Sequence, residues 1–477
     1  MIENFEHKGM WFLPSNPERK VHGILKYDYK NNTSILELIG SFYDYSNTEK
    51  QEIIVGTTTD GVDVTLVDCY FSHSRGLPRK ADEKFIDWAE DRLPTLKFRI
   101  TTILKGHRIL KKEEVLFQKI YTEIYNLEEW VGISGFKTDY DEVDDMHTIQ
   151  YKAPNPIKVK INENIDLEIK FFTNDTPIAF GFNKELGIKQ KTILSLHSKE
   201  YLELWELIYL IRKFTYFLST SLQIPVRMQS MELYSDKFSK KLHNDYNYSK
   251  PIQGFQIITP ELKFEKKKEH FSMLFCYNDI ENDFEVIMQK WFDNYEKFES
   301  PFNLVLRQFY LSQYYLETLF VNVAQASESF HSRLEIVDDS PKTEQDEEFS
   351  KKLKTVIDSV PEELKKWVES KISKPAKHHS DTRLKYLLKQ FSNAELDKMI
   401  GNHEQFIKDV INSRNYYTHY FRSMEKKAIS GQELLSLYLR LRLLLICGFL
   451  IESGFNKVLL EKLIKEKTYF LFRNLLS

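Results

Sequence analysis

Cysteine is nearly missing: Cys69, Cys276 and Cys447 are the only three in 477 residues. An odd number at wide spacing excludes a disulfide framework and a zinc site built from paired cysteines. A reducing cytoplasm is the compartment to expect. Glycine is sparse too, at 16 residues, and no Walker-type loop, nucleophile elbow or HExxH helix occurs. The common phosphate-cradling and metalloprotease designs are therefore out. No charge of one sign dominates. The formal net charge is −3, so nothing global draws the chain to nucleic acid or to an anionic membrane. RNA contact would need a local basic surface. The opening stretch MIENFEHKGMW has no basic segment followed by an apolar core, so no secretory leader is expected. No cofactor is implied, and no metal. His378, His379 and Asp381 lie close together, but adjacent histidines lack ligand spacing.

What is present fits a globular protein of two or three domains: 42% hydrophobic, 29% charged and 14% aromatic residues. The aromatics suit large cores, base stacking, or both. One run, Leu434 to Ile451, is long enough to raise the membrane question. Arg440 and Arg442 near its middle would be costly in lipid, so a buried bundle helix is the better reading.

Roughly the first 130 residues read as strands and turns. Val21–Tyr27 and Thr33–Ser41 flank a turn, and Ile53–Tyr70 reads as a hairpin around a Thr/Asp/Gly loop. Further strands are expected at Phe98–Leu104, Ile157–Ile169 and Pro225–Tyr234. The acidic stretch Asp139–Asp145 reads as a solvated loop. One helix, Lys199–Leu218, interrupts this half, with apolar residues near a 3.6 period. From Phe271 the character becomes helical, with an amphipathic face over Asp283–Phe298. After Pro301 only helices are expected. A long first helix carries Phe309, Leu316, Leu319, Phe320, Val323, Ala326 and Phe330. An acidic connection, Asp338–Glu348, follows. Helices come next at Phe349–Ser370, Asn393–Tyr417, Gln432–Glu452 and Lys457–Leu475.

Chemistry gathers at one place. Ile407, Val410 and Ile411 form the stripe of a helix, and Arg414 falls on that stripe one turn later. A guanidinium there needs a carboxylate, a phosphate or a wet cleft, unless its stem packs while its head reaches water. The string Arg414-Asn415-Tyr416-Tyr417-Thr418-His419 then adds an amide and an imidazole. On an unbroken helix, residues five apart diverge by about 140°. Arg414 and His419 would converge only if the helix ends near Thr418 or if two copies of the segment meet. Asn415 and His419, four apart, share a face.

The string RNYYTH resembles the R-x4-6-H motif of HEPN ribonucleases. The other end of the chain resembles ApeA-type proteins. The matching stretches are Gly9-Met10-Trp11-Phe12-Leu13-Pro14, Val21-His22-Gly23-Ile24-Leu25, Leu36-Glu37-Leu38-Ile39-Gly40, and Gly56-Thr57-Thr58-Thr59-Asp60-Gly61-Val62-Asp63-Val64-Thr65-Leu66. The resemblance implies an α+β multidomain protein. Residues 1–300 would form a β-rich sensing or regulatory domain with interspersed helices, and 301–477 an all-α HEPN bundle. It implies a metal-independent endoribonuclease of anti-phage, abortive-infection defence that dimerises through the bundle and answers to a phage-encoded trigger. Arg414, Asn415 and His419 would be catalytic, and a tRNA loop is a plausible substrate.

Supporting positions follow with their alternatives. Glu328 would pair with Arg414 if their helices pack, or else lie solvated. Tyr416, Tyr417 and Tyr420 would stack on bases or pack in a dimer seam. Lys371, Lys374, Lys377, Arg383, Lys385 and Lys389 make a locally basic stretch. Lys374, Lys377 and Arg383 there are the RNA-binding candidates, against a merely solvated lysine-rich loop. The competing function is a non-catalytic HEPN-like module for dimerisation or for binding a phage or host partner.

Overall fold

Strand periodicity dominates the start of the chain, in β1 (Phe5–Leu13), β2 (Asn16–Asp28), β3 (Thr33–Ile39), β4 (Gln51–Thr58), β5 (Asp63–Arg75) and β6 (Thr95–Lys105). In β2 and β3, Val21, Leu25, Leu36 and Leu38 are buried while their neighbours are more exposed, as alternation across a pleat requires. The computed structural model describes all residues except 1–3, 30, 32, 44–48, 76–92, 176–186, 239, 242–246, 249, 257–266, 311–314, 335–343, 372–379 and 477.

The order β6-β3-β2-β1-β4-β5, with β5 pairing back onto β6, closes these six strands into an antiparallel barrel. Closure leaves no free strand edge among the six. Trp11, Leu25, Leu36, Leu66 and Phe98 fill the inside and are fully buried. That filling explains one glycine of the hairpin. A Cβ on Gly56 would collide with the Trp11 ring. Gly61 turns the same hairpin with φ at +79°, where a side chain would be strained.

Later strands extend the sheet: β7 (Leu116–Thr122), β10 (Ile157–Lys160), β11 (Ile165–Asp175), β12 (Ile188–Glu203), β13 (Glu232–Tyr234) and β16 (Ile252–Gln256). Two hairpins stand apart from it, β8 (Phe136–Asp141) with β9 (Met146–Tyr151) and β14 (Lys240–Lys241) with β15 (Asn247–Tyr248). The strand β6 is shared between barrel and extension. Along one edge β3 covers its Thr95–Arg99 and β16 its Thr102–Lys105. From β16 the sheet runs β13-β7-β12-β11-β10. Two short helices, α1 (Leu127–Val131) and α3 (Tyr277–Ile280), and one long one, α2 (Leu204–Leu222), belong to this unit. It comprises Met1–Phe292 with Lys467–Ser477.

Several expectations are corrected here. Residues 199–203 are strand, not helix. Leu202 and Glu203 pair with Phe117 and Leu116 on β7, and Glu203 then caps α2 through a reciprocal box with Glu206. The acidic stretch 139–145 is exposed as expected, but its first three residues end β8 and the rest turn into β9, with the Tyr140 hydroxyl on Asp145 at 2.9 Å. Of Pro225–Tyr234, only Glu232–Tyr234 is a named strand.

The second unit, Asp293–Glu466, is helical. The helix α4 (Phe284–Leu306) continues through Pro301, a tight turn holds Arg307–Tyr310, and α5 (Leu316–Arg333) starts afresh. Of the long first helix expected, Phe309 falls in the turn and Leu316–Phe330 lie on α5. Glu344–Glu348 open α6 (Glu344–Asp358) rather than a connection, while 338–343 lie outside the described residues. The helix expected over Phe349–Ser370 breaks before α7 (Glu362–Lys371), because Pro361 disfavours helical backbone in the residue ahead of it. After α8 (Ser380–Phe391), the helix expected over Asn393–Tyr417 is also two, α9 (Ala394–Ile400) and α10 (His403–His419). Gly401 at φ +73° ends the first and Asn402 caps the second. The short α11 (Arg422–Glu425), α12 (Gly431–Glu452) and α13 (Lys457–Leu476) finish the chain.

The helices α5, α8 and α10 pack around α12, the apolar run flagged for a membrane. It is long and apolar enough to cross one, yet 72% of its most apolar window is buried inside the protein. Its arginines are accommodated. Arg440 donates to the Ile400 carbonyl at 3.2 Å, and Arg442 donates to the Tyr438 hydroxyl at 3.2 Å. Gly448 lets Phe330 and Phe391 approach the helix closely.

Candidate active site

The helix α10 positions the Arg/Asn/His segment. Phe406, Ile407 and Val410 anchor its buried face, and the Asn402 side chain accepts from the Gln405 N–H at 2.9 Å. Ser413 is fully buried on the same face. Its hydroxyl accepts from the Ile429 N–H at 2.9 Å, while the Tyr417 hydroxyl donates to the Ile429 carbonyl at 2.8 Å. These two bonds clamp the chain entering α12 against α10. Tyr417 also packs edge-on against Phe320. Burial, and next the nearby Glu317 carboxylate, push its pKa up. Its hydroxyl is occupied in holding the loop.

Arg414 sits one turn on and is enclosed by partners. Its Nη2 lies 3.2 Å from Glu328 Oε2, and its Nη1 donates to Asn415 Oδ1 at 3.1 Å. The other Glu328 oxygen accepts from the Ser380 hydroxyl at 2.8 Å. Glu328 thus ties α5, α8 and α10 together, and its pairing with Arg414 is present rather than a solvated glutamate. The pair is partly open, with side chains 32% and 23% exposed. Beside it lies a hollow lined by Ser327, Ser380, Leu384, Val410 and Ile411. Its volume is about 10 Å³, on the order of one water molecule.

His419 lies elsewhere. The helix is unbroken as far as His419, and Tyr420 at φ +52° ends it in the left-handed region. At about 100° per residue, Arg414 and His419 point to sides of α10 that diverge by about 140°. The imidazole is exposed and stacks on Phe421, with ring centroids 5.3 Å apart. No hydrogen bond or ion pair reaches it among the described residues. Asn415 bonds to Arg414, not to His419. Within one copy, the guanidinium and the imidazole do not meet. Tyr416, Tyr417 and Tyr420 pack against one another, and Tyr420 and Phe421 are 62% and 60% exposed. Exposed aromatics, Tyr420 and Phe421, therefore follow directly on His419.

Of the other candidates, Lys374, Lys377, His378 and His379 lie outside the described residues. Arg383 is on α8, with its Nε buried and without a hydrogen-bond partner among the described residues. Ser380 and Ser413 were not foreseen. No local pattern marks a serine whose partner is 52 residues away in sequence. The three cysteines are free and buried, and burial pushes Cys276 and Cys447 up to about 12. Neither is a ready nucleophile at neutral pH.

Residues 6–291 match the family described as ApeA N-terminal domain 1, well over half of the chain. The chain belongs to the ApeA family. Residues 321–459 match the Apea-like HEPN domain, which takes in Glu328, α8, α10 and all of α12. Among curated proteins and solved structures nothing matches. This ApeA protein is accordingly an anti-phage defence protein with a β-rich N-terminal half and a C-terminal HEPN domain.

Proposed function

We propose that this ApeA protein is a metal-independent endoribonuclease whose active groups are Arg414, Asn415 and His419, assembled from two copies. RNA carries its own nucleophile. The 2′-oxygen attacks phosphorus, the bond to the 5′-oxygen breaks, and the proton lost at one oxygen is matched by a proton gained at the other. The products are a 2′,3′-cyclic phosphate and a 5′-OH end. His419 is suited to move a proton at neutral pH. Arg414, always charged, stabilises the charge gathering on the phosphoryl oxygens through its planar fork. The observation that carries this reading is the contrast along α10, with an oriented, half-exposed guanidinium at one point and a free, exposed imidazole five residues on.

In this reading Glu328 positions Arg414 until a phosphate competes for the guanidinium, and Asn415 offers its amide to a phosphate oxygen. The exposed aromatics that follow His419 form the seam where a second copy brings its own Arg414 alongside. Substrates are accessible single-stranded RNA loops, with a tRNA anticodon loop the first to examine, and a phage-encoded trigger acts through the β-rich half. The test is RNA cleavage by purified protein in EDTA, with ends sequenced for wild type and for His419→Ala. Normal cleavage by the variant removes His419 from the mechanism.

One observation favours a second reading. The divergence of Arg414 and His419 within a copy suits a non-catalytic HEPN module that only dimerises or binds a partner. Toxicity on expression that vanishes with His419→Ala separates the two, because a binding module has no need of that exposed imidazole.

A further inference from the structure

A second hollow of the helical unit has about 380 Å³ of space between α8 and α10, and Arg414 is not part of it. Lys385 and Lys389 of α8 stand on one side, spaced one turn apart so that they share a face. Both are exposed, and no ion pair engages either among the described residues. Across from them on α10 are His403, Glu404 and Ile407. Of the two carboxylates that line it, Glu404 is exposed and Asp397 is already engaged. His403 Nε2 lies 2.8 Å from Asp397 Oδ1, and the Ser392 hydroxyl donates to that same oxygen at 2.5 Å. The floor between Leu388 and Ile407 is apolar.

The same two helices frame the hollow beside Arg414. Ile407 faces the larger space and Ile411 the smaller, one turn apart on α10. From Ile407 to Arg414 is about 10 Å along the helix axis. Resting on the ribonuclease reading, we infer that the α8–α10 groove is the track for the RNA strand flanking the scissile bond. Lys385 and Lys389 receive a phosphate of that strand, and a base lies over Leu388 and Ile407. Glu404 at the rim opposes the phosphate and limits affinity. The volume suits one nucleotide, and unpaired ammonium groups over an apolar floor are the pairing that single-stranded nucleic acid calls for.

The test measures binding, not cutting. Full-length His419→Ala protein is titrated with a labelled single-stranded RNA at several salt concentrations, alone and with Lys385→Ala/Lys389→Ala added. Each single-strand phosphate contact contributes about 0.7 to the slope of log K against log salt. The groove pair is expected to flatten that slope by about 0.7 and to weaken binding on the order of tenfold at low salt. The control, Lys351→Ala/Lys354→Ala on α6, removes the same charge and should leave the slope unchanged. Glu404→Gln should tighten binding. Equal effects from both lysine pairs, no effect from the groove pair, or no RNA binding at all overturns the track. A free nucleoside triphosphate that competes fully with the RNA, while the RNA slope ignores the groove lysines, assigns the hollow to a small nucleotide instead and also overturns it. Groove-dependent binding alongside wild-type protein that cuts nothing leaves the track standing and removes the cleavage reading alone.

Discussion

Arg414 and His419 are five residues apart on one helix, yet their surroundings are opposites. The arginine is held by Glu328 and Asn415 beside a hollow, while the histidine is solvent-exposed with only Phe421 stacked on it. A guanidinium near a packed face must be paired, since leaving it unpaired is costly. An imidazole at a helix end carries no such demand. The difference teaches that one half of the motif is held in place within a single copy, while the other stands at the surface with no polar partner among the described residues.

The sharpest way to break that comparison is to remove either half. Arg414→Ala and His419→Ala should each lower RNA cleavage by about 10²–10⁴-fold, measured on purified protein in EDTA, with the thermal melt and oligomeric state unchanged. If only one of them matters, the two-part site is wrong. Mixing the two inactive variants sharpens the case. If each site takes Arg414 from one copy and His419 from the other, half of randomly formed dimers carry one good site, and activity recovers to about a quarter of wild type. No recovery would place both groups in one copy.

Smaller effects separate the two environments. Glu328→Gln should act on the arginine side alone, lowering the cleavage rate by about tenfold through loss of a charged hydrogen-bond partner, with little change in stability because the pair is part-exposed. A rise in rate would instead make Glu328 a brake on Arg414. Ser413→Ala leaves the Ile429 N–H without its partner and should cost about 1 kcal/mol in denaturant unfolding. Phe421→Ala should be smallest, within about 0.5 kcal/mol of wild-type stability, because an exposed ring over an exposed imidazole supports no core. A large loss there would show that the ring already has structural work in one copy.

Local pattern was a good guide wherever one face of an element decides its form. Val21, Leu25, Leu36 and Leu38 alternate, and their strands lie where alternation puts them. It misled at element ends. Residues 199–203 carry a helical spacing, yet backbone pairing of Leu202 and Glu203 with β7 keeps them extended. At Pro361 and Gly401 the residue types favour a stop, and the helices break there although a single helix across each is the simpler reading of the pattern. At the site, the identities of Arg414, Asn415 and His419 were legible. The Ser380–Glu328–Arg414 chain was legible only as a possible Glu328 contact, since Arg414 lies 86 residues from Glu328.

Composition, periodicity and one hexapeptide settled that this chain joins a β-rich half to a helical half, and singled out Arg414, Asn415 and His419 as its candidate site. Those are properties of neighbours in sequence, where spacing alone sets the face on which a residue lies. Barrel closure through β5 and β6, the meeting of α5, α8 and α10 at Glu328, and the parting of Arg414 from His419 belong to the tertiary structure. Each depends on the fit of surfaces far apart along the chain and on where a helix ends, and neither is encoded in any short stretch of residues.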